Sequence, residues 1–129
     1  MALRRYRPYE VELRADGAGL YGGEAAQVFL SNLPYFGFGF RVNPAADPSD
    51  GLLEAIVLPA ASRLDALRLL VAVRSGRHLG RPGVIVRRAA EATLAAPLPL
   101  ACDATPLGVG SAAVTVEQGG VRIVSPWKR

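Results

Sequence analysis

Glycine and proline cut this chain into short apolar runs, and that limits what it can fold into. The 14 glycines and 10 prolines are spread along the 129 residues. Proline breaks a helix interior, and glycine costs one about 1 kcal/mol relative to alanine. Short strands joined by tight turns are the natural outcome. After Pro82-Gly83 the runs Val84–Arg88, Ala92–Ala95, Leu98–Cys102, Ala113–Glu117 and Val121–Ser125 read as strands. Pro97, Pro99, Pro106, Gly108 and Gly110 punctuate them, and Gln118-Gly119-Gly120 suits a hairpin between the last two.

The first half of the chain adds to this pattern. Tyr9-Glu10-Val11-Glu12-Leu13-Arg14 alternates in polarity, as a half-buried strand does, and Asp16-Gly17 and Gly22-Gly23 break it. Gln27–Ser31 reads as a second strand, and the glycines at 37 and 39 mark a turn or a strand with a close backbone neighbour. Leu53–Leu58 is a third strand, apolar enough to be buried on both faces. Only one segment changes period. Ser62 can cap a helix, with Asp65 three residues on, and Gly76 stops it. Leu64, Leu67 and Val71, with Leu70 beside them, form the expected core face of this helix, at about residues 62–75. The predicted fold is mainly β: a single domain, 1–129, built as a two-layer antiparallel β-sandwich with one α-helix.

A chain of this length can bury a core without a disulfide or metal staple. No apolar run is long enough to span a bilayer as a helix. The basic N-terminus lacks the apolar stretch of a signal peptide, and the single cysteine, Cys102, fits a reducing cytosol. The net charge is +4, carried almost wholly by arginine, with Lys128 the only lysine. Arginine forks phosphate and carboxylate oxygens, so an anionic lipid surface, a phosphate-bearing ligand or nucleic acid are the partners this balance allows. A GC-rich genome that uses arginine for ordinary solvation is the plainer explanation.

Single residues narrow the field further. His78 is the only histidine and lacks metal-ligand neighbours at useful spacing, so it reads as a polar residue at a helix–strand joint. Cys102 has no base partner in sequence and reads as a small buried hydrophobe. Tyr35, Phe36, Phe38 and Phe40 are the densest aromatic group. On a strand, Phe36, Phe38 and Phe40 would share one face, as sandwich core or as a wall for an acyl chain. No RNA-binding motif accompanies them.

Residues 32–54 run N-L-P-Y-F-G-F-G-F-R-V-N-P-A-A-D-P-S-D-G-L-L-E. The order of Asn32, Gly37, Gly39, Pro44-Ala45 and Asp50-Gly51-Leu52-Leu53 resembles the C-terminal domain of the bacterial diacylglycerol kinase family, which also includes sphingosine and other lipid kinases. Gly76-Arg77-His78 and Pro126 extend the resemblance to nearly the whole chain. The ATP-binding half of that family, with its G-G-D-G-T loop, has no counterpart here.

The resemblance implies a structural magnesium held by the Asp50 carboxylate and the carbonyls of Asp47 and Leu52. Such oxygen donors suit magnesium, although Asp-Pro-Ser-Asp-Gly is also good turn chemistry without a metal. It implies lipid contacts at Asn32, Phe36 and Phe38. It also implies a catalytic carboxylate in an Asp-Gly-Glu step, whose glutamate takes the proton from the lipid hydroxyl. Here that step reads Asp103-Ala104-Thr105. Asp103 is kept and is the remaining catalytic candidate; Thr105 replaces the base and cannot act as one near neutral pH. ATP would be used only with the missing half. The reading is therefore a lipid-side domain inactive alone, or a stand-alone lipid-binding, regulatory or dimerisation module. It would be cytoplasmic, peripheral at the inner membrane face, with a second copy or a partner chain over an exposed sheet edge.

Overall fold

A computed structural model describes residues 6–37, 39–103 and 105–122. In chain order the elements are β1 (Tyr9–Ala15), β2 (Ala18–Ala25), β3 (Gln27–Ser31), β4 (Leu53–Leu58), α1 (Arg63–Arg74), β5 (Ile85–Ala89), β6 (Glu91–Cys102) and β7 (Thr105–Thr115). They form two antiparallel sheets, ordered β2-β1-β6-β7 and β3-β4-β5. The sheets face each other, and α1 packs on the outer side of the three-stranded one.

β4 explains the layering. All six of its residues are buried. Leu53, Ala55 and Val57 point between the sheets, onto Val11, Leu13, Ala92 and Leu94. Ile56 and Leu58 point the other way, onto Ala66, Leu69 and Val73 of α1. Alternation places successive side chains on opposite faces, so a strand with cores on both sides is apolar nearly throughout, with Glu54 its one charged residue. Leu13 and Ile56 are fully buried, and each such side chain stabilises the fold by roughly 1.5–3 kcal/mol.

The helix begins as expected: Ser62 accepts a hydrogen bond from the Asp65 amide at 3.1 Å. Its orientation does not follow the sequence reading. Ala66, Leu69, Ala72 and Val73 face the core, whereas Leu64, Leu67, Leu70 and Val71 are exposed. Half of the inner face is alanine, and the bulkier stripe is turned to solvent.

The strands also depart from the expectation in places. Gly22-Gly23 does not end a strand; both residues lie within β2, paired with Glu12 and Val11. The break comes earlier, at Asp16 (φ 49°) and Gly17 (φ 77°), a two-residue turn in left-handed backbone. Pro97 and Pro99 do not separate two strands either. β6 runs through them with a register shift between Ala96 and Pro99. β7 occupies Thr105–Thr115, beginning well before the expected Ala113. A turn does form at 118–120, where the Gly120 amide donates to the Glu117 carbonyl. Val121 and Arg122 are not in a strand, and the rest of the expected last strand, with Pro126, lies outside the described residues. Cys102 is exposed rather than buried, because β6 and β7 outrun β1 and leave that end of the sheet uncovered.

Candidate functional site

The Asp50 turn is tied together locally. The Asp47 carboxylate accepts from the Ser49 amide at 2.9 Å and the Ser49 hydroxyl at 2.6 Å. Asp50 Oδ1 accepts from the Leu52 amide at 2.9 Å. Gln118 donates to the Ser49 carbonyl at 2.7 Å. Gly51 has φ 74°, left-handed backbone that favours glycine, and a Cβ there would press on the Gln118 side chain at 3.1 Å.

Beyond the turn lies a charged network that the sequence reading missed. Arg88 reaches from β5 and donates to Asp50 Oδ2. Its Nε also lies 3.3 Å from the Glu54 carboxylate. Glu54 and Arg88 stand directly opposite each other in the β4–β5 register, so the strand pairing itself brings them together. Glu54 is buried, and Asn43, also buried, donates to its Oε2 at 2.6 Å and to the Ser31 carbonyl at 3.2 Å. One signal was present in the sequence. A glutamate inside a strand buried on both faces must have partners, since an unpaired buried carboxylate costs several kcal/mol.

This network bears on the implied metal. Magnesium needs a near-octahedral set of oxygens. Here one Asp50 oxygen is taken by the Leu52 amide and the other by the Arg88 guanidinium, and the Asp47 carbonyl faces the Asp50 amide at 3.4 Å. As arranged these donors do not fit a magnesium ion, which would sit against an arginine charge. Among the described residues no group of three His, Cys, Asp or Glu side chains converges as a metal site.

The other candidates lie elsewhere. Asp103 (φ 46°) stands at the β6–β7 turn, exposed, beside exposed Thr105. Ala104 and Phe38 lie outside the described residues. Asn32 is half-buried at the end of β3. The aromatic segment is not a strand. The Phe36 amide donates to the Phe40 carbonyl at 2.9 Å, closing a tight turn through Gly37 and Gly39. Phe36 rests edge-on against Phe29 at 5.5 Å. Together with Phe40, Tyr6, Leu69 and Leu70 these rings line an apolar cavity of about 300 Å³ between α1 and the three-stranded sheet.

His78 is fully buried where the chain leaves α1. Its Nε2 lies 2.7 Å from the Val42 carbonyl and therefore carries the proton. Nδ1 makes no well-formed hydrogen bond. Burial pushes the imidazole pKa below its ordinary value, and the carbonyls of Val42 and Ala72 oppose that only in part.

Two facing antiparallel sheets with one outer helix and an Asp-Gly turn beside β4 define a helix-backed β-sandwich domain. The chain belongs to the YegS C-terminal NAD kinase beta sandwich-like domain family, which it matches over residues 1–125. It is 30% identical over 117 residues to diacylglycerol kinases of two Mycobacterium tuberculosis strains, CDC 1551 / Oshkosh and ATCC 25618 / H37Rv. That match covers 81% of this chain and 38% of each relative. Two crystal structures from Bacillus anthracis str. Sterne share the fold. One superposes with a TM-score of 0.70 at 18% identity, covering 91% of this chain and 42% of that one. The other, a diacylglycerol kinase, gives 0.64 at 17% identity, covering 90% and 42%. The chain thus spans about two-fifths of the length of the relatives it matches.

Proposed function

We propose that this chain is the lipid-side domain of a diacylglycerol-kinase-like phosphotransferase and transfers no phosphate by itself. The observation that carries this is the hairpin tip. A working transfer needs a carboxylate to take the proton from the lipid hydroxyl as that oxygen attacks the γ-phosphate. By the resemblance Thr105 takes the place of that base, and Asp103 is the carboxylate left at the turn. ATP would have to come with a nucleotide-binding half. Purified chain given diacylglycerol, ATP and magnesium is expected to form no phosphorylated lipid; product above a no-protein control would sink the proposal. A stand-alone, non-catalytic lipid-binding or regulatory module is the second reading, and the Ala104-Thr105 replacement favours it.

An edge supports a partner. Among the described residues β7 is an outer strand of eleven residues with no charged side chain. Proteins usually guard such edges with charges or cover them. A second copy or the nucleotide-binding half would cover it, and a strict monomer in light scattering at micromolar concentration counts against the first.

We also propose that Arg88, rather than magnesium, balances the Asp50 turn. Millimolar magnesium should then leave the wild-type melting temperature unchanged. Arg88→Gln frees the carboxylates and should gain a magnesium-dependent rise, since a ligand at a hundredfold its Kd stabilises by about 2.7 kcal/mol. A rise in the wild type that Asp50→Ala abolishes would restore the magnesium that the resemblance implies.

A further inference from the structure

Helix α1 carries apolar residues on two faces, and only one is used by the fold. Leu64, Leu67 and Val71 form an i, i+3, i+7 stripe, with exposures of 55%, 44% and 64%, and Leu70 adjoins them at 38%. A helix with apolar residues on two faces has a second face available for a partner. Across the cavity shared by Leu70 and Phe36, the aromatic turn presents a second exposed apolar ridge of Leu33, Tyr35 and Phe36. Arg74 links the two, its guanidinium 5.6 Å from the Phe40 ring centroid.

The charge around this surface is one-sided. Residues 62–82 hold five arginines, at 63, 68, 74, 77 and 81, against one acid, Asp65. That excess equals the net charge of the whole chain, +4. Arg63 and Arg74 stand at the two ends of the stripe, and Arg68 flanks it, 3.7 Å from Asp65. All five arginines are exposed. Apolar side chains bordered by arginine match a surface that is hydrocarbon inside and phosphate outside.

We infer that the outer face of α1 and the aromatic turn dock together on an anionic lipid bilayer, with the apolar cavity opening between them toward the acyl chains. This deepens the lipid-side reading, on which it rests, by naming the surface that meets the membrane. Anionic headgroups hold the arginines, and the leucine stripe enters the headgroup–acyl boundary. A protein partner on the same face is the competing occupant. Its interface core would more naturally be depleted of charge than ringed by one sign.

Co-sedimentation of the full chain with vesicles tests this. Binding is expected to mixed phosphatidylglycerol–phosphatidylcholine vesicles, to weaken with added salt, and to be far weaker to phosphatidylcholine alone. The Leu67→Glu/Val71→Glu double variant should bind the anionic vesicles about tenfold less or worse. Both positions are exposed, so its melting temperature should stay near that of the wild type. Arg68→Gln/Arg81→Gln should weaken binding while flattening its salt dependence. No binding to anionic vesicles, equal binding by the Glu double variant, or indifference to lipid charge would each overturn the inference. Loss of a nucleotide-binding partner in pull-down by the Glu double variant, with vesicle binding intact, would also overturn it and make the face a protein interface. A chain that misses vesicles yet still captures an ATP-binding half leaves the phosphotransferase reading standing, so the two fail separately.

Discussion

Asn43→Ala is expected to destabilise the protein by about 3 kcal/mol and to lower its melting temperature by about 10 °C. Asn43 is 1% exposed and bridges two groups through its side-chain amide, the Glu54 carboxylate and the Ser31 carbonyl. A hydrogen bond to a charged group contributes roughly 1.5–3 kcal/mol, and the truncation also leaves a cavity. Arg88 cannot make up the loss, because it meets the other Glu54 oxygen and is itself committed to Asp50. Asn43→Asp should be no better, since it sets a second carboxylate against the first. Thermal melts followed by circular dichroism measure the effect. A shift of a degree or two would show that Glu54 holds its place without Asn43.

Stability is also expected to fall as the pH drops from 7 towards 5, and His78 is the reason. Its pKa is lowered in the folded state, chiefly by burial. The unfolded chain therefore takes up this proton first, near the ordinary histidine value of about 6.5. Above that pH both states are neutral at His78 and its packing contributes in full. Below it, protonation draws the protein towards the unfolded state, and the loss continues until the folded imidazole itself accepts a proton. That proton would enter at Nδ1, which makes no well-formed hydrogen bond. His78→Gln keeps a donor for the Val42 carbonyl but cannot titrate. It should start less stable than the wild type and lack this part of the acid loss. Parallel acid slopes for the two proteins, in denaturant unfolding at several pH values, would sink the assignment.

The mainly β architecture was legible because β1, β3 and β4 each show their burial in their residue pattern. β2 was not, since its glycines read as breaks while its partner β1 holds them in register. The helix was placed well along the chain but turned the wrong way. Periodicity reports where the large apolar residues lie, and here the inner face is made from alanines as much as from Leu69 and Val73. The Asp50 turn was visible as turn chemistry. Its partners were not, because Arg88 reaches it only through the β4–β5 register, 38 residues along the chain. Asp103 and Thr105 were placed by resemblance alone, and nothing in their local sequence marks them as the end of a long hairpin.

The order of pairing has a consequence for how the molecule assembles. β3, β4, α1 and β5 are contiguous in sequence and lie wholly between β1 and β6, which pair with each other. The three-stranded sheet with its helix is thus an insert, and the four-stranded sheet closes around it. Asp16 marks that closure: its carboxylate accepts from the amides of Ala90 and Glu91, more than seventy residues away. Joining ends so far apart is entropically costly for an open chain and much cheaper once the insert has collapsed and drawn them together. The half of the sandwich nearest the helix can then form early, as can the local β1–β2 and β6–β7 hairpins, and the β1–β6 pairing that joins those hairpins into one sheet is the step that must wait.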